Sequence, residues 1–340
     1  MRVLRILLPC LALMPILGVA CFGGADDNCQ PVFPSAELPF QKSPQSSSGK
    51  PSNGGVTVPG FIHFTGDLAT VDGIGVSKYQ NNVDFVRAKT CGATFAFVRV
   101  SGGTDPGNET TYKEHWRNAK SVGLLVAPYH NLSFLPHGAR EMLRLTGQAR
   151  EAKLRDLLAI ASASHVQSTI FLTALMELLE TDPVQNWGSL TGRLFLDPVL
   201  DLSYDPLLNS TQEERAMYAP MVQALACNFV TQVKSDTRAR ISRVLVFVTP
   251  DVWRGYHLSE SSCHLGNDGI ILSFMPRDGG TVARNVAFGD VCGTDGANRC
   301  YFDHYTSYAS FLDFNNDKAV TLLRFYGDSS KLREHVNALQ

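Results

Sequence analysis

The sequence lacks a surplus of positive charge, a second long apolar run and any closely paired cysteines. Its 30 basic and 32 acidic residues give a formal net charge of −2. Removing Arg2 and Arg5 with a leader would leave 28 basic against 32 acidic residues, a net charge of −4. Phosphate backbones are bound by clustered cations, so this balance gives no reason to expect nucleic acid as a partner. It gives no reason to expect steering onto anionic lipid either. No segment beyond the first 20 residues reads as long and apolar enough to span a bilayer. None of the eight cysteines forms a Cys-x-x-Cys pair, and no histidine falls at zinc spacing beside them. A structural metal is therefore not expected, and no motif calls for a cofactor. A G-x-S-x-G elbow is also missing, so the many serines do not add up to that hydrolase signature.

What is present begins with an address label. Arg2 and Arg5 precede the apolar run from Ile6 to Leu17, and Gly18-Val19-Ala20 offers small residues for cleavage before Cys21. A basic start, a short apolar core and a small-x-small end read as a secretory signal peptide over residues 1–20. The run is shorter than the ~20 residues that cross a bilayer, which weighs against the alternative of a membrane anchor. The expected location is secreted or cell-envelope, periplasmic or extracellular. Seven cysteines remain after cleavage: Cys21, Cys29, Cys91, Cys227, Cys263, Cys292 and Cys300. An odd number in an exported chain needs an explanation. Cys21 is a candidate lipid anchor, although Gly18 stands where a bacterial lipobox has Leu; the other six would then allow three disulfides.

Residues 21–70 include Gln41 to Gly55, a stretch rich in Ser, Pro and Gly without apolar periodicity. Such a stretch cannot bury enough surface to offset its ordering entropy, so it reads as a flexible linker. From 71 to about 330 strand-like and helix-like segments alternate. Phe95–Val100, Leu124–Tyr129, Leu194–Leu196 with Val199–Leu202, Val244–Val248 and Ile270–Phe274 are near-continuous apolar runs. Tyr112–Val122 reads as a helix, and Ser210-x-x-Glu213 has the spacing of a capping box that opens another. Apolar strands separated by helices imply parallel strands covered on the outside, in a barrel or a doubly wound sheet. The stretch from about 132 to 190 is longer than one crossover helix needs and reads as a helical insertion.

Several motifs then share one order. Val71 to Phe85 carries Asp72-Gly73-Ile74-Gly75-Val76-Ser77 and Gln80. It is followed by Phe95-Ala96-Phe97-Val98-Arg99-Val100-Ser101-Gly102-Gly103-Thr104-Asp105, Ala127-Pro128-Tyr129-His130, Pro198-Val199-Leu200-Asp201-Leu202-Ser203, Phe302 to Ser307, and Arg324 to Asp328. In this order they resemble the glycoside hydrolase family 25 lysozymes, whose patterns read V-D-G-I-D-V-S-x-x-Q, F-x-F-I-[KR]-A-T-E-G-T-D, G-A-Y-H, P-V-L-D-V-E, F-W-Q-Y-T-S and N-x-F-x-G-D. The resemblance implies an irregular eight-stranded β/α (TIM-like) barrel, with a sugar groove at the C-terminal strand ends.

The resemblance also shows what is missing. Family members place an Asp in the first motif and an Asp and Glu in D-x-E, where alternate strand positions aim both acids into the groove. Here the first is Gly75, the proton-donating Glu is Ser203, the acid of A-T-E-G is Gly102, and a late Asp aligns with Thr321. Asp201 alone keeps its carboxylate. Glycosidic cleavage ordinarily uses two carboxyl groups, and losing general-acid help alone removes ~10² to 10⁴ in rate. Asp72, Asp105, Asp205 and Asp303 are the acids that a relocated pair would draw on. Tyr129, His130, Arg99, His304 and Tyr305 are the expected groove residues, with Arg99 also placed to pair with Asp201. The chain is thus expected to be a catalytically degenerate, lysozyme-like glycan binder acting on peptidoglycan or a related glycan. The alternatives are an active muramidase using Asp201 with a relocated acid, and a protein-interaction scaffold. Asn108, Asn131 and Asn209 open Asn-x-Ser/Thr acceptor tripeptides that matter only in a eukaryotic source.

Overall fold

The computed structural model describes residues 70–134, 139–181, 194–203, 207, 210–273, 289–292, 299–309 and 320–338. The signal-peptide, linker and Cys21 readings fall outside the described residues. Eight strands close a barrel in the order β1-β2-β3-β5-β6-β7-β8-β9. They are β1 (Thr70–Val76), β2 (Ala93–Gly102), β3 (Leu125–Asn131), β5 (Val199–Asp201), β6 (Leu245–Val248), β7 (Ile270–Ser273), β8 (Cys300–Ala309) and β9 (Val320–Tyr326). The expected eight-stranded barrel is present. Its strands are not all parallel, as the apolar runs had implied: β9 runs antiparallel to both β8 and β1 and closes the ring. The 194–202 run also divides. β4 (Leu194–Leu196) leaves the barrel and pairs with β10 (Val336–Ala338), beyond the expected limit near 330, and only β5 enters the ring.

Strand alternation sorts the side chains into two layers. Phe95, Phe97, Ala127, Val199, Leu245, Ile271, Phe302, Leu323 and Phe325 fill the barrel interior. Their neighbours Ala96, Val98, Val126, Leu200, Val246, Ile270, Leu272 and Leu322 face the surrounding helices. The interior is tight enough to dictate residue type at Gly73, where a Cβ would fall 2.4 Å from the Phe95 ring.

The helices are α1 (Phe85–Thr90), α2 (Tyr112–Ser121), α3 (Gly147–Ala163), α4 (Val166–Thr181), α5 (Gln212–Ser235) and α6 (Pro250–Gly255). The cap of α5 lies one residue later than expected. Thr211 Oγ1 accepts from the Glu214 amide at 3.1 Å, and the Glu214 carboxylate accepts from the Thr211 amide at 2.9 Å. The sequence holds two overlapping capping boxes, and the later one forms.

The helical insertion is real. The expectation that no segment beyond the first 20 residues is long and apolar enough to span a bilayer is corrected here: by length and composition alone Gly147–Thr181 passes that test. The chain breaks at extended Ser164 into two helices. Phe171, Leu175, Leu178 and Leu179 of α4 are buried with the outer faces of β2 and β3 and with α5. The described part of the insertion therefore packs on the outer wall. Two disulfides tie the C-terminal half, Cys227–Cys263 and Cys292–Cys300, and Cys91 is also disulfide-bonded.

Candidate functional site

The parallel strands all end on one side of the barrel, and there a cavity of about 160 Å³ opens. It is lined by Gly75, Phe97, Tyr129, Val199, Asp201, Ser203, Phe247, His304, Thr321 and Leu323. Positions far apart in sequence thus meet as the motif order had implied. Among the described residues Asp201 is the only carboxylate in that lining, and Gly75, Ser203 and Thr321 stand around it.

Asp201 ends β5 with its side chain turned inward, and each of its oxygens accepts a hydrogen bond. Asn131 Nδ2 donates to Oδ2 at 3.0 Å, and the Ser203 amide donates to Oδ1 at 2.8 Å. Burial pushes its pKa up, and the bonds from Ser203 and Asn131 only partly oppose that shift. Gly75 and Thr321 are register partners across β1 and β9. A Cβ at Gly75 would lie 3.1 Å from the Thr321 Cβ, so Thr321 occupies the space into which a side chain at 75 would grow. Gly102 also faces inward, between Asn108 and Asn131, but it does not line the cavity.

Tyr129 lines the cavity, and burial raises its phenol pKa. His304 lines it too, with Nδ1 2.9 Å from Ser273 Oγ. Tyr305 follows it on β8; its side chain lies outside the described residues. His130 is not a groove residue. Tyr129 points inward, so the next residue points outward, and His130 is fully buried under the helices. Its Nδ1 meets Ser101 Oγ at 2.9 Å, its Nε2 meets Gln167 Oε1 at 3.1 Å, and its ring stacks on Phe229. Burial pulls its pKa down to about 4.

Arg99 also departs from expectation. It faces inward beside Tyr129 in register, but its ion-pair partner is Glu109 at 2.5 Å, not Asp201, and it does not line the cavity. Glu109 is buried, accepts the Lys78 amide at 2.9 Å, and has a pKa raised by that burial against the pull of Arg99. Sequence reasoning missed it because it sits in a loop without periodicity, inside a tripeptide read as a glycosylation acceptor. That loop's Asn108 donates to the Gly102 carbonyl at 3.1 Å and accepts from Lys78.

The acids considered for a relocated pair fare differently. Asp72 faces outward and pairs with buried Arg324 at 3.2 Å. Asp105 is exposed and accepts from the Gly107 amide. Asp303 accepts the Tyr326 hydroxyl and does not line the cavity. Asp205 lies outside the described residues. Among the described residues no three His, Cys, Asp or Glu side chains gather to hold a metal ion.

A closed, mixed eight-stranded barrel with a cavity of mixed polarity at its C-terminal strand ends defines a TIM-like barrel protein. The family model described as glycosyl hydrolases family 25 matches residues 74–151. Among solved structures, the chain is similar to a family 25 glycosyl hydrolase from Bacillus anthracis at 15% identity and a TM-score of 0.50, covering 80% of this chain and 96% of that one. A family GH25 lysozyme from Aspergillus fumigatus gives 18% identity, TM-score 0.44 and coverage of 78% and 98%. The bacterial lysozyme from Streptomyces coelicolor gives 17%, 0.47, 79% and 98%. No curated protein matches the chain. In motif and in fold, then, the chain resembles glycoside hydrolase family 25.

Proposed function

We propose that this protein is exported and binds peptidoglycan or a related glycan in the cavity at Asp201 without cleaving it. The observation that carries the reading is the lining itself, in which Asp201 is the one carboxylate among the described residues. A glycosidase must protonate the leaving oxygen and also stabilise or attack the anomeric carbon. Ser203 cannot protonate an oxygen near neutral pH, and Gly75 and Thr321 supply no charge. Loss of either function removes orders of magnitude in rate, and the losses do not simply add. Binding needs less. Tyr129, Phe97 and Phe247 offer rings, and Asp201, Ser203, Thr321 and His304 offer hydrogen-bonding groups, the mixture a sugar requires. The leader over residues 1–20 and the linker over 21–70 support delivery to the cell envelope.

Purified protein mixed with cell walls tests this, following both co-sedimentation and release of reducing ends. Co-sedimentation that weakens in Asp201→Ala, with no reducing ends released, is the expected outcome. Reducing ends that appear with the parent and vanish in Asp201→Ala would overturn the non-hydrolytic reading. Neither release nor co-sedimentation would overturn glycan binding and favour a protein-interaction scaffold.

A further inference from the structure

Beside the cavity stands a group of side chains that the reading above does not use. Tyr79, in the loop after β1, leaves 56% of its surface exposed, the largest exposed aromatic among the described residues. It is nonetheless held. The Arg99 guanidinium lies 5.0 Å from its ring centroid, and Lys78 Nζ lies 5.6 Å from the same centroid. One buried carboxylate organises all three. Glu109, with a side chain 1% exposed, takes Arg99 Nε at 2.5 Å and the Lys78 amide at 2.9 Å. It thereby ties the loop after β1 to the loop after β2.

This arrangement has two chemical consequences. An exposed ring that is already fixed loses little rotamer freedom when a ligand lies on it, which is the advantage of a preorganised contact. Charge is also left over. Arg99 matches Glu109, whereas the Lys78 ammonium is hydrogen-bonded to Asn108 Oδ1, a neutral amide. An aromatic face beside an ammonium suits a ring that carries a carboxylate. Arg99 pairs in register with Tyr129, which lines the cavity, so Tyr79 stands one side chain away from the cavity wall.

We propose that Tyr79 and Lys78 form a rim subsite for a carboxylate-bearing sugar ring next to the one held in the cavity, with Arg99 and Glu109 as positioning residues. This rests on the glycan-binding reading. The carboxylate is supplied either by a hexuronate or by a lactyl ether, and the experiment separates the two. Calorimetric titration of the full chain would use a hexuronate-containing tetrasaccharide, a peptide-free tetrasaccharide of alternating N-acetylglucosamine and N-acetylmuramic acid, the carboxyl-reduced form of each, and chitotetraose.

The expected result is tighter binding of one acidic tetrasaccharide than of its reduced form, with the gap closing as salt is added. Lys78→Gln removes that gap. Tyr79→Ala weakens the acidic and reduced forms alike, by roughly five- to tenfold, while Tyr79→Phe retains most of the affinity. Melting temperatures of these surface variants stay near the parent's. Tyr79→Ala and Lys78→Gln binding like the parent, while Asp201→Ala fails to bind, would overturn the rim subsite and leave the cavity reading intact. A parent that binds none of the five sugars would overturn both.

Discussion

Lowering the pH from 7 to 5 should cost the fold about 2 kcal/mol through His130 alone. The ring is fully buried, stacked at 4.9 Å on Phe229 and edge-on to Phe171. Its tautomer is set by neighbours. Gln167 Oε1 already accepts the Ser133 amide at 2.8 Å and Gln167 Nε2 donates to the Ser133 carbonyl, which fixes the amide's orientation. His130 Nε2 therefore carries the proton, and Nδ1 accepts from Ser101 Oγ. Burial lowers the folded-state pKa from 6.5 to about 4. The folded form thus binds a proton less readily than the unfolded chain. The stability this represents is present above pH 6.5 and is lost as pH falls through the window down to 4. Buried Asp201 and Glu109 are shifted upward and slope the other way, favouring the folded state as pH falls, so a single pH curve would blend these effects. Urea unfolding of the parent and of His130→Gln at pH 7 and pH 5 isolates the histidine, because everything else cancels in the double difference. A parent that loses no more stability than His130→Gln between those pH values would refute the assignment of His130 as a neutral core residue.

Three further outcomes follow from the same contacts. Arg324→Ala strands the buried Asp72 carboxylate, and denaturant midpoints should report a loss of about 3–5 kcal/mol, much of it recovered by pairing Arg324→Met with Asp72→Leu. Asp197→Ala removes the acceptor shared by His335 at 2.8 Å, Arg243 at 3.0 Å and Asn337 at 2.9 Å. It should loosen β10 from β4, seen as faster proteolysis near the C-terminus, and a parent-like cleavage pattern would count against the staple. Gly75→Asp with Ser203→Glu, plus Thr321→Ala to clear the 3.1 Å approach, should release more reducing ends from cell walls than the parent does. A well-folded triple variant that releases none would show that more than the acids has been lost.

The barrel was legible because its strands are short apolar runs such as Val244–Val248 and Ile270–Phe274, and because the motifs recur in order. What failed was direction and partnership. The antiparallel β9 follows residues 310–319 and carries no local mark of its direction, since apolar alternation is the same whichever way a strand runs. His130 looked like a site residue only because it adjoins Tyr129, and the two-residue period turns neighbours to opposite faces. Arg99 was matched to Asp201 for want of another acid at the strand ends, while its partner Glu109 comes from a loop that no periodicity places. Asp72, three residues before Gly75 on β1, faces the other side of the strand, where it pairs with Arg324.

The one acid left in the cavity has a sufficient structural reason to be there. Asp201 accepts the side chain of Asn131 at the end of β3 and the backbone of Ser203 beyond β5, so it ties two neighbouring strand ends where the chain leaves the barrel. Removing it would leave an amide and a main-chain N–H without their acceptor, at a cost of about 1–3 kcal/mol each where they are buried. Gly75 and Thr321, by contrast, face each other across one register pair, and the threonine methyl fills the space that a side chain at 75 would need. That pair is packed as a unit, so an acid at 75 alone meets Thr321 before it reaches the ligand space. A carboxylate retained for its hydrogen bonds is no evidence of chemistry. Among the described residues Asp201 is the only carboxylate in the cavity lining, so its place there is accounted for by packing and hydrogen bonding alone.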